Sequence, residues 1–175
     1  SRLQMMLQDN HRQHVELANK LSTSLEVAVA QLQARRQEAD RSTRHGLEFE
    51  AAVCDQVRVL CEAAGDVAQD VGATTGLIPN KNVGDAVITI GPEKAAAGAR
   101  IVVEAKESGS YDLSSTLEEA DVARRNRGAG VCIFVHSEKT APAGIPVFQR
   151  YGQDIVMRWS AEDPATDVWL KAAIM

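Results

Sequence analysis

From Arg2 to about residue 40 the chain contains neither Gly nor Pro, and apolar residues return in steps of three and four. Leu7, Ala18, Leu21, Leu25, Ala28 and Leu32 fall on one a/d seam, which His11, His14 and Arg35 interrupt. Leu, Gln, Ala, Glu and Arg dominate this stretch, a helix-forming mixture, so the pattern predicts a coiled-coil arm. Forty helical residues extend about 60 Å at 1.5 Å per residue. Such a stripe needs cover, either from the same arm of a second chain, giving a homodimer through residues 1–44, or from the arm's own domain. Beyond Gly46 the phase changes: Phe49, Val53, Val57, Leu60 and Ala64 share one helix face, and Gly65 closes it. The pattern divides the chain into an arm, 1–44, and a body, 45–175.

Within the body the periodicity turns to strands. DVAQDV is a short strand candidate, followed by the Gly/Pro/Asn loop GATTGLIPNKN. VGDAVITI and ARIVVEAK are β-branched runs joined by GPEKAAAG, a connection suited to a hairpin. Ser115 and Glu118 read as a capping box for a helix carrying Leu117, Ala120 and Ala123 on one side and ending at Gly128. VCIFVH is a continuous apolar run, expected as a central buried strand, and IVMRW is a further strand. ATDVWLKAAIM is a closing helix with Val168, Leu170 and Ile174. A hairpin followed by a crossover helix implies an α/β fold, with a mixed central β-sheet flanked by helices and preceded by the long coiled-coil helix.

Composition changes this picture little. Hydrophobic residues make up 45% and charged residues 25%, as in ordinary globular domains, while aromatics at 4% leave the core to Val, Ile, Leu and Ala. No apolar run approaches the roughly 18 residues that cross a bilayer, and no signal-peptide core is evident, so a soluble, cytoplasmic protein without membrane association is expected. Cys54, Cys61 and Cys132 each sit in an apolar element without CxxC spacing and read as buried thiols. The chain opens at Ser1 rather than Met, as expected for a piece of something longer.

Charge is more informative. Residues 1–45 carry seven Lys/Arg against five Asp/Glu, whereas residues 46–175 carry twelve against nineteen. An acidic body is unfavourable for binding that rests on phosphate neutralisation alone, and it is what a metal-binding carboxylate cluster helps to produce. In HRQH, His11 and His14 have no matching acids nearby and read as polar seam positions. Arg35, Arg36, Arg41, Arg44 and His45 mark the junction between arm and body, either as a solvated helix face or as phosphate contacts.

Candidate chemistry lies in the predicted hairpin. Asp85 opens one strand, and Glu104 and Lys106 end the next two residues apart, on the same strand face. An antiparallel pairing brings Asp85 beside them. Two carboxylates, with the backbone carbonyl of Ala105 between Glu104 and Lys106, make an oxygen donor set for Mg²⁺ or Mn²⁺. A lysine beside that ion orients or deprotonates a water, or stabilises charge developing on a phosphate. On the preceding helix Glu48 and Glu50 compete as a further acid; Glu50, three residues before Val53 at the edge of the apolar stripe, is the better placed. Arg124, Arg125 and Arg127 cluster at the end of the second helix, where they complement its dipole or clamp phosphates. Tyr111, Asp112 and His136 lie close in sequence or at a strand end, with capping or structural duty expected.

Asp85 of VGD, Glu104 and Lys106 of EAK, and a preceding helix opened by GLEFE together resemble the PD-(D/E)xK nuclease superfamily, closest to its Mrr-type branch. Two positions depart from the pattern: Gly84 stands where a Pro often precedes the Asp, and no Gln precedes the lysine motif. The resemblance covers residues 46–160 and implies a restriction-endonuclease-like fold. It also implies a Mg²⁺- or Mn²⁺-dependent nuclease acting on DNA, with Asp85, Glu104, Lys106 and Glu50 catalytic. Asp85, Glu104, Ala105 and Glu50 would hold the metal, and Arg44, Arg124, Arg125 and Arg127 would contact nucleic acid. The contrasting expectation is a non-catalytic nuclease-like scaffold or nucleic-acid-binding module that works through its coiled coil.

Overall fold

The computed structural model describes the backbone of residues 2–175 and the side chains of residues 11–34, 37 and 45–175. The chain divides into two compact units, Ser1–Arg44 and His45–Met175. Helix α1 spans Arg2–Ala64. It continues through Gly46 rather than restarting there: a single helical Gly costs about 1 kcal/mol, which strong helix formers on both sides absorb. In the first unit the described side chains of residues 11–34 are exposed, among them Val15, Leu21, Leu25 and Leu32. The seam residue Leu7 and the side chains of Arg35, Arg36, Arg41 and Arg44 lie outside the described residues. Among the described residues no helix is long and apolar enough to cross a membrane.

The second unit is an α/β domain around a six-stranded mixed sheet in the order β1-β2-β3-β4-β6-β5. β1 (Val67–Asp70), β2 (Ala86–Thr89) and β3 (Arg100–Lys106) form an antiparallel meander. Helix α2 (Leu113–Arg127) then crosses over to β4 (Val131–Ser137), which runs parallel to β3 and to β6 (Asp154–Trp159). Sequence periodicity missed β5 (Phe148–Tyr151), an antiparallel edge strand with little apolar alternation. A short 3₁₀ turn at Pro164–Thr166 leads into α3 (Asp167–Ile174).

Strand alternation sorts the core into two layers. Val53, Val57 and Cys61 of α1 and Leu170 and Ile174 of α3 pack with Ile88, Val103, Ile133 and Met157 on one face. Ala120 and Ala123 of α2 pack with Val87, Val102, Phe134 and Val156 on the other. All three cysteines are buried and free. The α2 cap differs from expectation. Asp112 is the N-cap, accepting from Ser115 N–H at 2.7 Å while Ser115 Oγ accepts from Asp112 N–H at 3.0 Å, and Glu118 takes no part in the box. At the other end Gly128 adopts a left-handed φ of 60° and closes the helix.

Candidate metal centre at the β2–β3 hairpin

The antiparallel register pairs Ala86 with Val103, which sets Asp85, one residue before β2, beside Glu104. Asp85 N–H donates to the Val103 carbonyl at 2.9 Å, and Asp85 Oδ2 accepts from Ala105 N–H at 2.7 Å. Gly72 lies against the other carboxylate oxygen: a Cβ there would stand 3.2 Å from Asp85 Oδ1, a tight contact that glycine avoids. Glu104 is buried; its Oε2 accepts from Gly84 N–H at 2.6 Å and its Oε1 lies 3.0 Å from Lys106 Nζ.

Ala105 N–H points to the β2 edge, and the N–H and C=O of one strand residue share an edge. The Ala105 carbonyl therefore faces the space past the end of β2. Neither neighbouring donor reaches it, because Asp85 N–H goes to Val103 and Gly84 N–H to Glu104.

The same space collects further charge from α2. Lys106 Nζ is also 2.9 Å from Glu119 Oε1, while the Tyr111 hydroxyl donates to Glu119 Oε2. The Tyr111 ring lies under the ammonium, 5.6 Å from Nζ to centroid. Glu119 is the site residue that sequence reading missed. With the helix starting after Asp112, Glu119 falls three residues after buried Thr116 and one before buried Ala120, next to the stripe that meets the sheet.

Glu50 reaches this region from the α1 layer. Its pKa is raised by burial and then by the charge of Asp85, which places it within the electrostatic reach of the site. Among the described residues, however, no group of three or more Asp, Glu, His or Cys side chains is drawn together as an ion cage.

Electrostatics follow from this crowding. Burial, then the Asp85 charge, push the Glu104 pKa up to about 8. Burial also raises Asp85, against the Ala105 N–H and Lys106, which favour its ionised form. For Lys106, burial favours the neutral amine, but Glu104 and Glu119 outweigh it and hold the group protonated. A firmly held ammonium suits the charge-stabilising role among those expected for Lys106. In Glu119 burial is outweighed by the Tyr111 hydroxyl and Lys106, so its pKa falls.

The arginine cluster separates into three different situations. Arg127 is buried and donates from Nε to the carbonyls of Val83 and Gly84 at 3.0 and 3.1 Å, and from Nη2 to those of Val71 and Asn82 at 2.8 and 2.9 Å. It clamps the loop that delivers Asp85 and offers no open face to a phosphate. Asn126, also buried, holds the same loop through Ile78 N–H and the carbonyls of Lys81 and Val83. Arg124 pairs with Asp154 and Asp121, tying α2 to β6. Arg125 is exposed and pairs with Asp121. The fourth candidate, Arg44, has its side chain outside the described residues.

His136, beside Lys106 in the β3–β4 register, is fully buried. Thr116 Oγ1 donates to the Asp112 carbonyl, so it accepts from His136 Nε2–H at 3.0 Å, which leaves Nδ1 as a buried acceptor with no partner among the described residues. Burial, and then the nearby Arg158 and Lys106, lower its pKa to about 4, which favours the neutral ring.

The donor set suits a hard dication. Asp85 and Glu104 both lie in the field of Glu119 as well as of Lys106, Glu104 and Glu50 lie in that of Asp85, and both carboxyls of the hairpin are raised, a strain on ionisation that a divalent ion would relieve. Two carboxylates and the Ala105 carbonyl would hold Mg²⁺ or Mn²⁺, with water completing the shell. A groove of ≈ 500 Å³ lined by Lys81, Val83, Tyr111, Glu118 and Glu119 opens next to this cluster. No family model, curated protein or solved structure matches the chain.

Proposed function

We propose that this chain is a nuclease domain of the PD-(D/E)xK type, with a restriction-endonuclease-like fold, that hydrolyses DNA phosphodiester bonds with Mg²⁺ or Mn²⁺. In this reading it is dimerised or tethered by a coiled coil within residues 1–44. The observation that carries it is the convergence of Asp85, Glu104 and Lys106 at one end of the β2–β3 hairpin, where burial and Asp85 raise the glutamate's pKa. The parallel β3-α2-β4 crossover behind that hairpin fits the same resemblance.

When bound, the ion would polarise the phosphoryl oxygen and acidify a water. Asp85 and Glu104 would hold it, Ala105 would offer a carbonyl, and Lys106 would place positive charge on the phosphate oxygens. Glu50 would act at longer range on the charge balance.

Labelled linear DNA incubated with the full chain tests this. Cleavage that requires Mg²⁺ or Mn²⁺ and disappears in both Glu104→Gln and Lys106→Ala is expected. The non-catalytic scaffold is favoured by one observation, the engagement of Arg124, Arg125 and Arg127 by protein oxygens. Absence of metal-dependent cleavage together with unchanged folding of both variants would decide for it.

A further inference from the structure

We propose that Glu119, oriented by Tyr111, is a positioning residue that keeps the Lys106 ammonium in place when Glu104 turns to a divalent cation; the inference rests on the metal reading of Asp85 and Glu104. Lys106 Nζ sits between two carboxylates, 3.0 Å from Glu104 Oε1 and 2.9 Å from Glu119 Oε1. Were Glu104 its only anion, an arriving cation would have to take that oxygen and leave a largely buried ammonium unpaired, a costly state. Glu119 supplies the second anion. Its remaining oxygen is taken by the Tyr111 hydroxyl, which fixes the carboxylate plane and leaves Lys106 as its cationic partner.

The supports of this arrangement are themselves held. Tyr111 packs against Phe134 and His136 of β4, with ring centroids 6.0 and 5.9 Å apart. Glu119 stands on a helix whose start is locked by a reciprocal Asp112–Ser115 box. A role for Glu119 as a third metal ligand is disfavoured, since both of its oxygens are already engaged and no three-acid cage is present among the described residues.

A double-mutant cycle on metal affinity reads the proposal directly. Mn²⁺ binding to the full chain is measured by calorimetry for the wild type, Glu119→Gln, Lys106→Met and the double variant. Lys106→Met removes the competitor for Glu104 and should bind Mn²⁺ at least as tightly as the wild type. Glu119→Gln should weaken binding about tenfold when Lys106 is present, the scale of one charge-assisted hydrogen bond, and less than about twofold in the Lys106→Met background. Equal weakening in both backgrounds would mean that Glu119 acts on the ion by its own charge, and no weakening in either would mean that it does not act; each overturns the proposal. A wild type that binds no Mn²⁺ sinks the metal reading and this inference with it, so the two failures are distinguishable.

A second readout needs no metal. Burial and then the bond to Glu119 push the Tyr111 pKa up to about 12. Ultraviolet titration should show this tyrosine ionising at lower pH in Glu119→Gln, and an unchanged titration would overturn the proposal. Tyr111→Phe, which conserves the ring, should weaken Mn²⁺ in the same direction as Glu119→Gln but less.

Discussion

Replacing Arg127 by methionine tests how the site is built. The guanidinium donates to four backbone carbonyls, of Val71, Asn82, Val83 and Gly84, at 2.8 to 3.1 Å. A hydrogen bond to a charged group contributes about 1.5–3 kcal/mol net, but the four are not additive, and the cost of burying the cation offsets part of the sum. Methionine fills much of the volume and leaves the carbonyls facing a thioether, with water recovering some of them. The expected loss is about 3–5 kcal/mol, in line with removing one partner from a buried charged network. For a body of this size that lowers the melting temperature by about 10–20 °C. Urea denaturation of the full chain, followed by the fluorescence of Trp159 and Trp169, both in the body, measures it. Arg125→Met is the control: that side chain is exposed and pairs with Asp121, so its removal should cost within about 0.5 kcal/mol. If Arg127→Met lies within about 1 kcal/mol of the wild type, the clamp does not hold the Asp85 loop in solution and the reasoning fails.

Three further outcomes follow from the same geometry. Gly84 has φ 98°, and a Cβ there would stand 2.8 Å from Val102 Cγ2 and 2.7 Å from Arg127 Cγ, so Gly84→Ala should cost about 2–4 kcal/mol by denaturation and weaken Mn²⁺ binding. Because the Glu104 pKa is raised from 4.5 to about 8, the folded state keeps a proton that the unfolded state loses across that interval, and this group's contribution to stability falls as pH rises through it. Without divalent ions Glu104→Gln should therefore match the wild type near pH 4.5 and exceed it above pH 8, by a few kcal/mol at the order-of-magnitude level, as read by thermal melts across pH. Sedimentation of the full chain should give a dimer that Leu21→Asp/Leu25→Asp dissociates while the body stays folded; a monomeric wild type would remove the coiled-coil proposal.

The hairpin and its three charged residues were legible because β-branched runs state their own period, and a two-residue spacing fixes a strand face. What escaped was decided by tertiary contacts. The resemblance expects Pro before the Asp, yet a φ of 98° at position 84 is unreachable for Pro, and this backbone turn has no signature beyond the glycine itself. The Ser115–Glu118 spacing suggests an N-cap at Ser115, whereas Asp112 three residues earlier is the cap, and that shift in phase moves Glu119 relative to the face that meets the sheet. In the sequence Arg127 groups with Arg124 and Arg125 as cations that complement the helix dipole or contact phosphate. Its place in the series Thr116, Ala120, Ala123, Arg127 was the available signal, since those positions share the buried side of α2. Glu50 stands on α1, which packs on the opposite face of the sheet from α2, yet the charge of Asp85 reaches it, a relation across the sheet that periodicity does not show.

In the proposed function Asp85 and Glu104 hold one divalent ion between β2 and β3. Crystals of the full chain grown with Mn²⁺ and measured at the manganese absorption edge test it most directly. The account predicts one anomalous peak in contact with both carboxylates and the Ala105 carbonyl, with Lys106 retained on Glu119. A site-free map at saturating Mn²⁺, or a peak elsewhere while Lys106 stays bound to Glu104, would contradict it.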